Sequence, residues 1–157
     1  MSSVLRYLEF LSLGTWVGSI LFLSFVVAPG AFATLGNRDQ AGAVVGMALG
    51  RLHALGLLAG VIYLAARLAQ ARALSALASP AALAVILMLV LSLISQYGVS
   101  PRLAHLRVEM GSVDRTPEDH PLRVQFNRWH PLSVQLEVAV LLLGLGALFL
   151  SVRERPS

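Results

Sequence analysis

Four long apolar segments constrain the fold of this chain more than any other feature. They cover about residues 7–35, 41–66, 80–99 and 132–152, and each reaches the roughly 20 residues that a helix needs to cross the hydrocarbon core of a bilayer. Barrel strands are excluded because they alternate apolar and polar residues. The sequence therefore predicts an all-α integral membrane four-helix bundle, with residues 1–157 in a single domain.

The composition agrees with a lipid environment. Hydrophobic residues make up 57% of the chain and charged residues 13%, whereas about 25% of the residues in soluble domains are charged. The absence of cysteine excludes disulfides, thiolate metal sites and cysteine nucleophiles. The net charge of +4 comes from arginines near the ends of the apolar segments, which indicates contact with lipid headgroups and not with nucleic acid.

The first apolar segment resembles a signal peptide at its end but is longer than the usual 7–15 apolar residues, so we expect a retained helix. Pro29 is expected to kink or end it. Outside the spans, five arginines lie on the side of the termini and six on the other, where they are spread over a longer loop. We therefore expect both termini to be cytoplasmic, in a bacterial inner membrane.

The connection before the fourth segment is long and charged. Thr116 followed by Pro117 is typical of a helix N-terminus, with the threonine as the N-cap residue. From there Leu122, Phe126 and Trp129 fall on one helix face. The pattern predicts a short amphipathic helix that lies at the membrane interface before the fourth span.

Glycines spaced four residues apart mark faces on which helices can pack closely. Small residues at this spacing let helix backbones approach each other in lipid. Packing within the bundle is favoured over packing between chains, although a homo-oligomer stays open. The predicted packing positions are Gly14, Gly18, Gly42, Gly46, Gly50, Gly56 and Gly60.

Polar residues gather at one end of the predicted bundle. Because the spans are antiparallel, the start of the second, the end of the third and the start of the fourth lie on the same side. An ionisable residue inside a span usually faces the bundle interior and has a partner, so we predict that Arg51 pairs with Glu137. The predicted cluster comprises Arg51, His53, Gln96, Tyr97, Arg102, Trp129, His130, Ser133 and Glu137.

His53 and His130 are the candidate ligand-binding residues of this cluster. Two imidazoles from different helices of a bundle can hold a transition metal or the iron of a haem-like tetrapyrrole. The alternative is structural, since polar side chains also hold helices together in membranes. The sequence leaves both interpretations open.

Several short motifs resemble a four-helix membrane family that includes transmembrane protein 205. They are Trp16-Val17-Gly18, Phe25, Ala28-Pro29, Phe32 and Leu35 in the first span, His53 in the second, Pro101-Arg102 after the third, and the stretch from Phe126 to Ser133. The chain departs from that family at Gly50-Arg51-Leu52. The resemblance implies a membrane protein linked to drug resistance and export. The four-helix plan is more distantly similar to copper-resistance protein D and membrane protoporphyrinogen oxidase, in which helix histidines bind copper or haem.

Three functions follow as hypotheses: a binding protein for a metal, haem-like tetrapyrrole or small ligand; a structural or accessory subunit of a larger membrane complex; and an oligomeric exporter of metal or drug. An enzyme is the least favoured class, because no nucleophile has an obvious activating base. The sequence contains no phosphate-binding loop and no zinc-protease motif.

Overall fold

The structure, a computed structural model, describes residues 2–153 and is built from helices and short connections. Four helical spans, Ser3–Thr34, Arg38–Ala71, Pro80–Met110 and Pro121–Arg153, are long and apolar enough to cross a membrane, which confirms the predicted four-helix membrane bundle. The elements in chain order are α1 (Ser2–Phe22), a π-helical turn (Leu23–Val27), α2 (Ala28–Thr34), α3 (Arg38–Ala71), a 3-10 turn (Leu74–Ala78), α4 (Pro80–Ile94), a second π-helical turn (Ser95–Val99), α5 (Ser100–Met110) and α6 (Pro121–Arg153).

Each span packs against its neighbours in the chain, and the first also packs against the last. Helix α1 contacts α3 and α6, and α4 contacts the same two helices from the other side. Most of the buried side chains between them are apolar. The largest fully buried apolar side chains are Trp16, Tyr63, Leu13, Ile20 and Met88.

The predicted glycine faces differ in what they contact. A Cβ atom at Gly56 would lie 2.2 Å from Nε1 of Trp16, and one at Gly60 would lie 2.6 Å from Cδ2 of Leu89. At these two positions only glycine lets α1 and α4 approach α3. In contrast, a Cβ at Gly14 would meet no atom within 4 Å; the same holds for Gly18 and Gly50.

Two prolines lie inside the first and third spans without ending them. Each follows a π-helical turn, with Pro29 after the turn Leu23–Val27 and Pro101 after the turn Ser95–Val99. A proline cannot donate the usual backbone hydrogen bond, and a π-turn changes the local helix geometry at such a point. The first span continues to Thr34, so Pro29 does not end it.

The predicted long connection before the fourth span is also different in the structure. The third span extends to Met110, and α6 begins at Pro121 and runs without interruption through Pro131. The predicted start at Thr116 is therefore wrong, because the backbone N–H of Leu122 bonds instead to the side chain of His120.

The predicted amphipathic helix is consequently the first part of α6 and not a separate element. Its apolar residue Phe126 is buried against Val99, Leu103 and Leu106 of the third span. A partner helix, and not lipid alone, covers the apolar face. This packing aligns the third and fourth spans along the polar end of the bundle.

Candidate functional site

A buried polar network around His53 joins three spans toward the polar end of the bundle. The His53 imidazole is 0% exposed. Nε2 lies 2.5 Å from Oε1 of Glu137 on α6, and Nδ1 lies 2.8 Å from Oε1 of Gln96 in the second π-helical turn. These three residues, here called the His53 network, join the second, third and fourth spans. Sequence analysis named all three as members of one cluster.

The predicted pair of Arg51 with Glu137 is wrong, because the carboxylate bonds to His53 instead. Residues two apart on an α-helix point about 200° apart. When His53 faces the interior, Arg51 must face outward. Its side chain is exposed and lines a groove between α1 and α3.

The two contacts of His53 restrict its chemistry. Both ring nitrogens face side-chain oxygens, and an imidazole can donate from both nitrogens only when it is protonated. Each ring nitrogen therefore shares a hydrogen bond with a side chain, Nε2 with Glu137 and Nδ1 with Gln96, and the direction of each bond depends on the tautomer. A metal ligand needs a free nitrogen lone pair, which neither position offers here. Residues 2–153 contain no group of three or more His, Cys, Asp or Glu side chains arranged to hold a metal ion.

His130 has a different environment from His53. Its ring is exposed and stacks on Phe126, with the ring centroids 5.5 Å apart and the planes 8° from parallel. Glu137 lies seven residues further along α6, a rise of about 10 Å. The structure thus gives the two imidazoles separate partners and does not join them in one network.

The remaining residues of the predicted cluster lie toward the interface. Tyr97 is 71% exposed and is not part of the His53 network. Arg102 lies over the ring of Trp129, 4.6 Å from its centroid, about 9 Å along the third span from Gln96. Ser133 is buried and lines a cleft.

Arg107 also lies at the polar end of the bundle. Sequence analysis did not predict it as a site residue. Its Nη1 donates to the backbone carbonyl oxygen of Gly42 at 2.9 Å, and its guanidinium lies over the ring of Phe126, 5.4 Å from the centroid. A Cβ at Gly42 or Gly46 would lie within 3.3 Å of a guanidinium nitrogen. These glycines therefore pack against an arginine and not against a helix backbone.

A cleft of about 570 Å³ opens beside Arg107 between α3 and the third and fourth spans. The wall on α3 includes Gly42, Gly46 and Gly50, and this cleft is called the glycine cleft below. The opposite wall carries the polar side chains Gln96, Arg107, His130 and Ser133. Because Gln96 also bonds to His53, the cleft borders the His53 network.

A second polar network lies at the opposite end of the bundle and was missed by sequence analysis. Nε2 of Gln70 donates to Oε1 of Glu9 at 2.6 Å, and Nη1 of Arg67 donates to the hydroxyl of Tyr63 at 3.1 Å. That hydroxyl lies 2.7 Å from Oγ of Ser151. The spacing of Tyr63, Arg67 and Gln70 on one face of α3 was the signal that could have identified this network.

The fold and its two buried networks define a four-helix membrane protein with a polar cleft between its second span and its third and fourth. The chain belongs to the family described as Domain of unknown function (DUF4149), whose model matches residues 11–112. The match includes His53, Gln96 and Arg107 and ends before Glu137. No curated protein and no solved structure matches the chain.

Proposed function

We propose that this protein binds a small organic anion with an apolar body in the glycine cleft. The observation that carries the proposal is the composition of the cleft walls, in which one cationic side chain and several neutral polar groups face an apolar glycine surface. Its volume of about 570 Å³ falls within the roughly 300–1,000 Å³ of small-molecule sites.

The charge of the cleft favours an anion. Arg107 lines it, and no Asp or Glu is among the lining residues. A guanidinium carries five N–H donors, of which Nη1 supplies a bond to Gly42. The other donors suit a carboxylate or phosphate, which arginine binds through paired hydrogen bonds.

The shape of the cleft favours an apolar body. The stretch from Gly42 to Gly50 extends about 12 Å along α3. The Arg107 guanidinium covers Gly42 and Gly46, whereas Gly50 leaves open space beside the helix backbone for a chain or a flat ring. Val45 and Leu103 add apolar lining. At the deeper end, a polar group of the ligand would meet Gln96 and Ser133, next to the His53 network.

We do not extend the proposal to a metal or haem, because both nitrogens of His53 already bond to protein oxygens. A role as an accessory subunit of a larger membrane complex is the second candidate function. The exposed guanidinium of Arg51 within a span favours it, since charged side chains in spans usually have a partner.

The proposal is tested by binding of cis-parinaric acid, a fluorescent fatty acid, and its neutral methyl ester to the protein in nanodiscs. We expect the wild type to bind the acid in preference to the ester. Arg107→Gln should weaken binding of the acid about tenfold, because a hydrogen bond to a charged group contributes roughly 1.5–3 kcal/mol. Binding of the ester should change little.

A cleft-filling variant with a matched control completes the test. Gly50→Leu adds a side chain to the cleft wall at a position where a Cβ meets nothing within 4 Å, and should abolish binding of the acid. Gly146→Leu adds the same side chain to a glycine that also has open space and lies outside the cleft; it should bind as the wild type does. Equal binding by both variants would exclude the glycine cleft as the site.

A further inference from the structure

Arg51 places a charge on the outer side of a membrane-spanning helix. Helix α3 has 34 residues, a length of about 51 Å, whereas the hydrocarbon core is about 30 Å thick. Arg51 lies 13 residues after Arg38, a rise of about 20 Å. If the helix extends equally beyond both sides, Arg51 is about 10 Å inside the core. A charge at that depth is costly without a partner.

The guanidinium borders an open groove of about 530 Å³ between α1 and α3. The α1 wall of this groove has small side chains, with Gly14, Thr15, Gly18 and Ser19 along one face. A Cβ at either glycine would meet nothing within 4 Å, so no other part of the described chain fills the space. We call this surface the Arg51 groove.

The described part of the chain offers no unpaired carboxylate to Arg51 from within a span. Glu137 bonds to His53, and Glu9 accepts a hydrogen bond from Gln70. Asp39, at the start of α3, accepts bonds from Ser112 and Val113. Glu109, near the end of the third span, lies 3.3 Å from Nδ1 of His105. A second copy of this chain would therefore bring no free intramembrane acid to the groove.

We propose that the Arg51 groove binds a membrane-spanning helix of another protein that carries an aspartate or glutamate near its middle. The small residues of α1 allow the close helix approach that drives association in lipid, and the carboxylate pairs with the guanidinium of Arg51. The proposal deepens the accessory-subunit candidate and does not depend on ligand binding in the glycine cleft, with which the groove shares only Met47 among its lining residues.

The test uses model spanning peptides with a Leu/Ala sequence and one central residue, either Glu or Gln. The chain has no cysteine, so Ser3→Cys at an exposed position gives a single site for a donor fluorophore, and each peptide carries an acceptor. Energy transfer in nanodiscs then measures binding. We expect the Glu peptide to bind the wild type about tenfold more tightly than the Gln peptide.

Variants identify the groove as the site. Arg51→Gln should reduce the preference for the Glu peptide to below about twofold. The double variant Gly14→Leu/Gly18→Leu, whose new side chains enter open space, should lose binding of both peptides. Arg102→Gln, which removes an arginine that stacks on Trp129 outside the groove, is the matched control and should keep the preference. Circular dichroism confirms that each variant is folded.

Three results would overturn the proposal. The first is equal binding of the two peptides to the wild type, or an unchanged preference in Arg51→Gln. The second is energy transfer between copies of the protein that Gly14→Leu/Gly18→Leu abolishes, which would make a second copy the occupant. The third is a preference that disappears when phosphatidylglycerol replaces phosphatidylcholine in the nanodisc, which would make an anionic lipid the partner of Arg51. Cis-parinaric acid binding remains a separate readout of the glycine cleft.

Discussion

Substitution of Gly56 by alanine tests how closely α1 approaches α3. The added Cβ would lie 2.2 Å from Nε1 and 2.5 Å from Cε2 of Trp16. Ordinary contacts are at least 3.4 Å, so the two helices or the indole must move by about 1 Å. Trp16 is fully buried.

The magnitude follows from two opposing terms. Insertion of an extra methyl group into a packed interior usually costs about 1–3 kcal/mol, and replacement of glycine by alanine within a helix returns up to about 1 kcal/mol. We expect Gly56→Ala to lower the free energy of unfolding by about 1–2 kcal/mol. Gly14→Ala, which meets no atom within 4 Å, should leave it unchanged or raise it by up to about 1 kcal/mol.

The assay is reversible unfolding in mixed micelles by increasing the fraction of sodium dodecyl sulfate, followed by circular dichroism. The expected difference between the two variants is about 2 kcal/mol, close to a 30-fold change in the unfolding equilibrium. Equal stability of Gly56→Ala and Gly14→Ala would refute the close packing of Trp16 on α3.

Three further predictions use the same unfolding assay. Glu137→Ala should cost about 1–3 kcal/mol because it leaves the His53 imidazole buried without its carboxylate, and the cost should shrink when His53→Ala is also present; additive costs would contradict the pair. Tyr63→Phe should cost about 1 kcal/mol through loss of the hydroxyl that bonds to Ser151 and Arg67, and no change would show that these bonds contribute nothing. His130→Ala should change stability by less than about 0.5 kcal/mol because the ring is exposed; a larger loss would place His130 in the packed interior.

The sequence predicts the number and the order of the spans well, because length and hydropathy alone determine whether a helix can cross a bilayer. It predicts their ends less well. The third span continues past its apolar part through Arg107 to Met110. The apolar segment ends at residue 99, before Arg102. The helix nevertheless continues, because the Arg107 guanidinium packs on Phe126 and bonds to Gly42.

The sequence predicted which residues belong to the candidate site but not which of them bond to each other. His53, Gln96 and Glu137 were assigned to one end of the bundle from the alternation of spans. The prediction that Arg51 pairs with Glu137 was wrong because it considered only the opposite charges of the two side chains. It did not consider which side chains of α3 point into the bundle. Leu52, His53 and Gly56 share the buried face of that helix, a phase that was already present in the sequence.

The glycine spacing predicted close packing without identifying what packs. Gly56 contacts an indole ring, Gly42 contacts an arginine, and Gly18 faces open space. The same glycine spacing occurs in all three environments, because it determines only that no side chain projects from that helix face. The neighbour depends on how the spans are arranged around α3, which one segment does not encode.

The most direct test of ligand binding in the glycine cleft is the site of covalent labelling by a photoactivatable fatty acid. The protein in nanodiscs would be irradiated with a diazirine-bearing fatty acid, and the labelled residues would be mapped by mass spectrometry. We predict adducts between residues 42 and 50 and between residues 96 and 108, which Gly50→Leu removes. Adducts spread over lipid-facing residues such as Leu142 and Phe149, and equally abundant in Gly50→Leu, would contradict a binding site in the cleft.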